Sequence, residues 1–123
     1  KYVVFICKEN DLHCTLAESV YNKHAKKTKA IAAGKKTDTA SPHTPGMLKE
    51  NGLTAGKPEI YTFDLLQKAA KVITFGCESG VCLPFPSDEW RIEDQDFKRM
   101  HDIIEKKVKK LVKVIENDSN ETI

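Results

Sequence analysis

No stretch of this sequence approaches the roughly 18 consecutive apolar residues that a membrane span needs. Charge of one sign is not in excess either. Twenty basic residues face 18 acidic ones, for a formal net charge of +2, a balance that argues neither for nucleic acid nor for an anionic membrane as partner. Arginine is scarce: Arg91 and Arg99 stand alone among lysines interspersed with glutamates, a surface of the kind seen in proteins from hot environments. Cysteine is sparse as well. Cys7, Cys14, Cys77 and Cys82 are too few for a disulfide scaffold, and they fall in two places along the chain. No secretory signal is visible, although the sequence begins at Lys1 without a methionine, as a chain with a trimmed leader would. The thiols are therefore expected to be mostly reduced in a cytoplasm, where disulfides are transient and catalytic. By the same reading the two sequons at Asn117 and Asn120 are chance.

What is present fits one domain. The chain has 123 residues, 40% of them hydrophobic, enough for a core of helices on a small sheet. The domain is expected to span 1–116, with 117–123 as a polar tail. Tyr2 to Cys7 reads as a buried strand, and Thr15 to Lys26 as a helix with Leu16, Ala17, Val20, Tyr21 and His24 on one face. A second strand covers Lys29 to Ala33 and ends at Gly34. After a loop with Pro42 and Pro45, a short helix is expected from about Pro45 to Asn51, with Gly52 just past its end. Phe63 to Ala70 reads as a short helix, Lys71 to Gly76 as a third strand, and Glu89 to Ile92 as a short fourth. The longest helix runs from Asp96 to Glu116, with Phe97, Met100, Ile104, Val108, Leu111 and Ile115 along one apolar stripe. Strands alternating with helices imply βαβ units and a parallel sheet, which binds ligands beyond the carboxyl ends of its strands.

Cys7 lies at such an end. A strand end, a tight loop and a helix start together make a nest of backbone N–H groups reinforced by the helix dipole. A nest of that kind holds a tetrahedral oxyanion and also stabilises a thiolate. Attack of Cys7 on phosphorus or arsenic is the chemistry this suggests. The competing reading is a buried cysteine that packs as a small hydrophobe.

"VVFICKENDLHCTLAE" resembles the phosphate loop of low-molecular-weight protein tyrosine phosphatases and of the thioredoxin-coupled arsenate reductases built on the same fold. Their pattern is an apolar strand, Cys-x-x-Asn-x-x-Arg-Ser, and a helix opening with x-x-Ala-Glu; Cys7, Asn10, Ala17 and Glu18 fall in register. The likeness extends through "AIAAG", "KVITFGC" and "EWRIEDQ" and so covers nearly the whole chain at low identity. It implies an α/β fold, a small parallel four-stranded sheet in the order 2-1-3-4 with helices on both faces. It further implies that Lys8, Glu9, Asn10, Asp11, Leu12, His13 and Cys14 form the oxyanion-binding loop, with Asn10 shaping it by hydrogen bonds.

Two positions depart from the pattern. His13 stands where the family has the arginine that clamps two oxyanion oxygens with a planar fork, and histidine has no fork and at most one charge. Losing a contact worth about 3 kcal/mol costs roughly a hundredfold in rate, and phosphate ester cleavage suffers most. Cys14 replaces the serine or threonine that follows. It either donates a weak hydrogen bond to the Cys7 sulfur or forms an oxidised pair with Cys7 that locks the site. Glu9 brings a negative charge to a position where glycine is common.

Cys77 and Cys82, in "GCESGVCLPFP", lean the resemblance towards the reductases, which carry two cysteines in this segment. The implied mechanism is a relay in which Cys7 attacks arsenate, Cys77 attacks Cys7, Cys82 attacks Cys77, and a thioredoxin-like reductant restores the thiols. Asp94 matches the family's general acid, with Gln95 in place of the following proline and Glu93 as a neighbouring alternative. Trp90 reads as core. The cysteine spacings do not match zinc knuckles, which argues against a metal site using His13 or His101. No cofactor and no oligomeric state are implied. Arsenate reductase is thus the leading expectation. The alternatives are a phosphatase working through a cysteinyl-phosphate, and a non-catalytic oxyanion-binding or redox-sensing module.

Overall fold

The strand β1 (Tyr2–Ile6) occupies the middle of the sheet, and its composition accounts for that place. "YVVFI" is β-branched and aromatic, with Val3 to Ile6 fully buried, as in parallel strands covered on both faces. Its side chains alternate: Val3 and Phe5 join one core cluster, Val4 and Ile6 the other. The computed structural model describes residues 2–6, 12–34, 49, 52–53, 59–60, 62–75, 88–90, 92 and 96–121.

Around β1 the chain forms α1 (Leu12–His24), β2 (Lys29–Gly34), β3 (Glu59–Ile60), α2 (Phe63–Gln67), β4 (Lys71–Thr74), β5 (Asp88–Glu89) and α3 (Phe97–Glu121). The sheet order is β3-β2-β1-β4-β5 and every pairing is parallel. The expected four-stranded order is present as β2-β1-β4-β5. To it the structure adds β3 at the edge, a two-residue strand too short to leave an alternating pattern in the sequence. One face of the sheet packs Val3, Phe5, Ala30, Ala32 and Ile73 under α1 and α3. The other packs Val4, Ile6, Ala33 and Val72 against Leu66 of α2. The apolar stripe of α3 is buried at Met100, Ile104, Val108, Leu111 and Ile115, as its spacing predicts. No described helix is long and apolar enough to cross a membrane.

Where boundaries differ from the sequence reading, hydrogen bonds say why. α1 stops at His24: Ala25 N still donates to Tyr21 O at 2.8 Å, but from Lys26 on the amides are taken by a distant side chain. The Glu116 carboxylate accepts from Lys26 N at 3.1 Å, Lys27 N at 2.7 Å, Thr28 N at 2.9 Å and the Thr28 hydroxyl at 3.0 Å. Burial opposes the charged form of Glu116, but the Lys27 amide, then the Thr28 hydroxyl and amide and the Lys26 amide, outweigh it and hold the pKa below the ordinary 4.5. α2 stops at Gln67 because the chain turns into the sheet: Lys68 N donates to Asp64 O, and Ala70 N to Tyr2 O at 2.8 Å. α3 runs on to Glu121, past the expected end at Glu116; extending an established helix costs little compared with starting one. The short helix expected over 45–51 lies outside the described residues except at Lys49, which is helical. Gly52 follows it with φ of 73°, the left-handed conformation of a helix stop.

The outer edge of β2 is paired with β3 only at Ala33 and Gly34. Below that point α1 supplies the missing partners. Glu18 accepts from Ala32 N at 2.7 Å, and Asn22, one turn later, accepts from Ala30 N at 2.8 Å while donating to Ala30 O at 3.3 Å. The four-residue spacing of Glu18 and Asn22 puts both on the helix face that meets this edge, and the amide of Asn22 pairs with the strand as a neighbouring peptide would.

Candidate functional site

Parallel strands end on one rim, and three of the loops expected to carry chemistry start from it. Ile6 is the cross-strand partner of Thr74, and Thr74 of Glu89. Adjacent strands lie about 4.8 Å apart, so the chain leaves β1, β4 and β5 from neighbouring points. Cys7 follows Ile6 directly and Cys77 follows Thr74 by three residues, a length of chain that reaches about 11 Å at most. Trp90 N donates to Thr74 O at 2.8 Å, extending the β4–β5 pairing one step towards Ile92 and the segment with Asp94. Cys7, Lys8, Glu9, Asn10 and Asp11, Cys77 and Cys82, and Asp94 lie outside the described residues.

α1 begins at Leu12, so His13 and Cys14 belong to its first turn. His13 is half-buried. Its ring stacks on Phe75, centroids 5.6 Å apart at 22°. Phe75 follows Thr74 at the end of β4 and completes an aromatic cluster with Phe5 and Trp90, with centroids 5.4 to 6.3 Å apart. The residue at the family's arginine position is thus held at the rim, against the strand whose loop carries Cys77. Its Nε2 is buried and, among the described residues, has no hydrogen-bond partner. A buried ring nitrogen left unpaired is costly, and protonation would make it a cationic donor. Cys14 is fully buried and disulfide-bonded, whereas the sequence reading expected mostly reduced thiols.

Glu18, which falls in register with the family pattern, accepts from Ala32 N and so braces the edge of β2. Trp90 is half-buried against the core, as expected, and carries Lys107 Nζ 5.7 Å from its ring centroid. Phe75 is the site residue that sequence reasoning missed; it reads as part of the third strand, which ends one residue earlier, at Thr74. Among the described residues no cluster of His, Cys, Asp and Glu could hold a metal ion.

Solved structures place this architecture among known proteins. An arsenate reductase from Archaeoglobus fulgidus is 32% identical to the chain, with a TM-score of 0.71; the match covers 89% of this chain and 98% of that one. The chain belongs to the low-molecular-weight phosphatase-like family, arsenate reductases included. A thioredoxin-dependent arsenate reductase from Corynebacterium glutamicum is 25% identical over 95% of this chain and 62% of its own, with a TM-score of 0.75. An arginine phosphatase from Geobacillus stearothermophilus shares the fold at 18% identity and a TM-score of 0.70, over 98% of this chain and 96% of its own. No family model and no curated protein matches the sequence. These solved proteins are enzymes.

Proposed function

We propose that this family member is an arsenate reductase that works through a cysteine relay. The observation that carries the reading is the pairing of Ile6 with Thr74, which starts the Cys7 and Cys77 loops side by side; the likeness to the Archaeoglobus fulgidus reductase supports it. In the relay the Cys7 thiolate attacks arsenate, a sulfur–arsenic bond forms, and an oxygen leaves as water with a proton from Asp94. The Cys77 thiolate then attacks the Cys7 sulfur. A disulfide forms, the sulfur–arsenic bond breaks with its electron pair going to arsenic, and arsenite leaves. Cys82 attacks Cys77 and releases Cys7, and a thioredoxin-like dithiol reduces the Cys77–Cys82 bond. Lys8, Glu9, Asn10, Asp11, Leu12, His13 and Cys14 would surround the oxyanion, His13 contributing one charge-assisted contact in place of a fork.

The test supplies arsenate with thioredoxin and its reductase and measures arsenite. Production abolished by Cys82→Ser supports the relay. Hydrolysis of para-nitrophenyl phosphate that survives loss of both Cys77 and Cys82 points to a phosphatase instead. Neither activity, with sulfate or phosphate still bound, points to a binding module.

A further inference from the structure

Between the second half of α3 and the β4–β5 side of the sheet lies a groove of about 370 Å³. Its apolar lining is Trp90, Leu111, Val114 and Ile115, and its charged lining is Lys71, Asp88, Lys107 and Lys110. Lys71 opens β4, three residues before Thr74, which sets that end of the groove about 10 Å back from the rim where the Cys77 loop begins. Lys71 is paired: its Nζ lies 2.8 Å from the Asp88 carboxylate. Lys107 and Lys110 form no ion pair among the described residues. Helix geometry says why. Lys107, Lys110 and Val114, spaced by three and four residues, share one face of α3. Glu105 and Glu116 fall on the opposite face, and both are engaged there. Glu105 meets His24 at 3.5 Å and Lys109 at 3.8 Å, and Glu116 holds the amides of Lys26, Lys27 and Thr28. The groove side of the helix is left cationic.

We propose that this groove binds a small organic anion: a single carboxylate, sulfonate or phosphate head on an aryl or short acyl body. A volume in the range of roughly 300–1,000 Å³, a mainly apolar lining and a few charged groups are what small-molecule sites share. The head group sits with the Lys107 and Lys110 ammonium groups. The body covers Val114, which is 56% exposed in the empty groove, and reaches Leu111 and Trp90. Lys107 is positioned in advance, its Nζ 5.7 Å from the centroid of the Trp90 ring. That ring is braced from behind by Phe5 and Phe75, so little freedom is lost on binding. Asp88 at the other end disfavours a second negative charge, which limits the ligand to one head. Nothing in this inference draws on the relay.

Trp90 is the only tryptophan of the chain, so the groove carries its own reporter. The probe is 8-anilinonaphthalene-1-sulfonate, an aromatic sulfonate whose absorption overlaps tryptophan emission. Titrated into the folded chain, it should quench Trp90 saturably at one dye per chain, and octanoate or 2-naphthoate should displace it. Saturating inorganic phosphate, the probe for the loop after β1, should leave the signal in place. Lys110→Glu should weaken binding about tenfold. Lys113→Glu, the same change of charge on the same helix but outside the groove, should leave the affinity unchanged. The uncharged analogue N-phenyl-1-naphthylamine should bind about tenfold more weakly than the sulfonate, a comparison that needs no variant. Absence of saturable quenching overturns the proposal, as does displacement by phosphate or equal weakening by Lys113→Glu. Equal affinity for the uncharged dye overturns it too, because the groove would then be an apolar patch without a head-group site.

Discussion

The imidazole of His13 lies on the ring of Phe75, centroids 5.6 Å apart, with a buried Nε2 that has no hydrogen-bond partner among the described residues. The helix that follows the Cys7 loop is thereby tied to the strand that precedes the Cys77 loop. An arginine in this place could keep the stack, since a guanidinium also lies flat on aromatic faces, and would add a forked contact to an oxyanion. His13→Arg should therefore raise kcat/KM for para-nitrophenyl phosphate, by up to about a hundredfold if the fork is worth about 3 kcal/mol. No gain in a folded variant would count against His13 facing the oxyanion.

Glu116 fastens the far end of the longest helix to the α1–β2 turn through three amides and a hydroxyl. Hydrogen bonds to a charged group are worth about 1.5–3 kcal/mol net, and the amides left behind here are partly exposed to water. Glu116→Ala should cost about 2 kcal/mol, read as a lower denaturant midpoint at unchanged slope. A midpoint within error of the unsubstituted protein would remove the clasp from the account.

The same carboxylate sets a pH dependence. Its folded-state pKa is lowered from 4.5, so the unfolded chain binds the proton more readily. The stabilisation is complete above the unfolded value and is lost as the pH falls through the folded one. Glu116→Gln should flatten the acid limb of stability below about pH 4.5 and leave its shape near neutrality unchanged. An acid limb identical in the two proteins would contradict the assignment.

The edge of β2 offers a local test. Asn22→Ala removes both bonds to Ala30 and should cost about 1–2 kcal/mol. Faster hydrogen exchange is expected at the Ala30 amide, with the Ala33 amide, in the stretch paired with β3, unaffected. Uniform loss of protection along the strand would show that Asn22 acts through global stability alone.

Much of this fold could be read from the sequence because burial writes itself as periodicity. The run from Tyr2 to Ile6 announces a central strand, and the stripe from Met100 to Ile115 announces the covering helix. Ends were harder, since they depend on partners far along the chain: Glu116 ends α1 some ninety residues away from it, as the separation of 88 to Thr28 shows. β3, with two residues, has no period to detect. At the site, the sequence reading starts α1 at Thr15 and leaves His13 and Cys14 in the loop before it, whereas the helix begins at Leu12 and takes both into its first turn. Spacing could not say that Phe75 would receive the His13 ring, because that contact joins elements distant in sequence. Nor could it choose between a hydrogen-bonding and a disulfide-bonded Cys14, since either fits a cysteine next to His13.

The relay itself is tested most directly by trapping its disulfides. Fully reduced protein is exposed to arsenate, quenched with an alkylating agent and mapped by mass spectrometry. The account predicts a Cys77–Cys82 bond in the unsubstituted chain and a Cys7–Cys77 bond in Cys82→Ser, both dependent on arsenate. Cys7 recovered as an alkylated thiol from Cys82→Ser, with no arsenate-dependent disulfide in either protein, would contradict it.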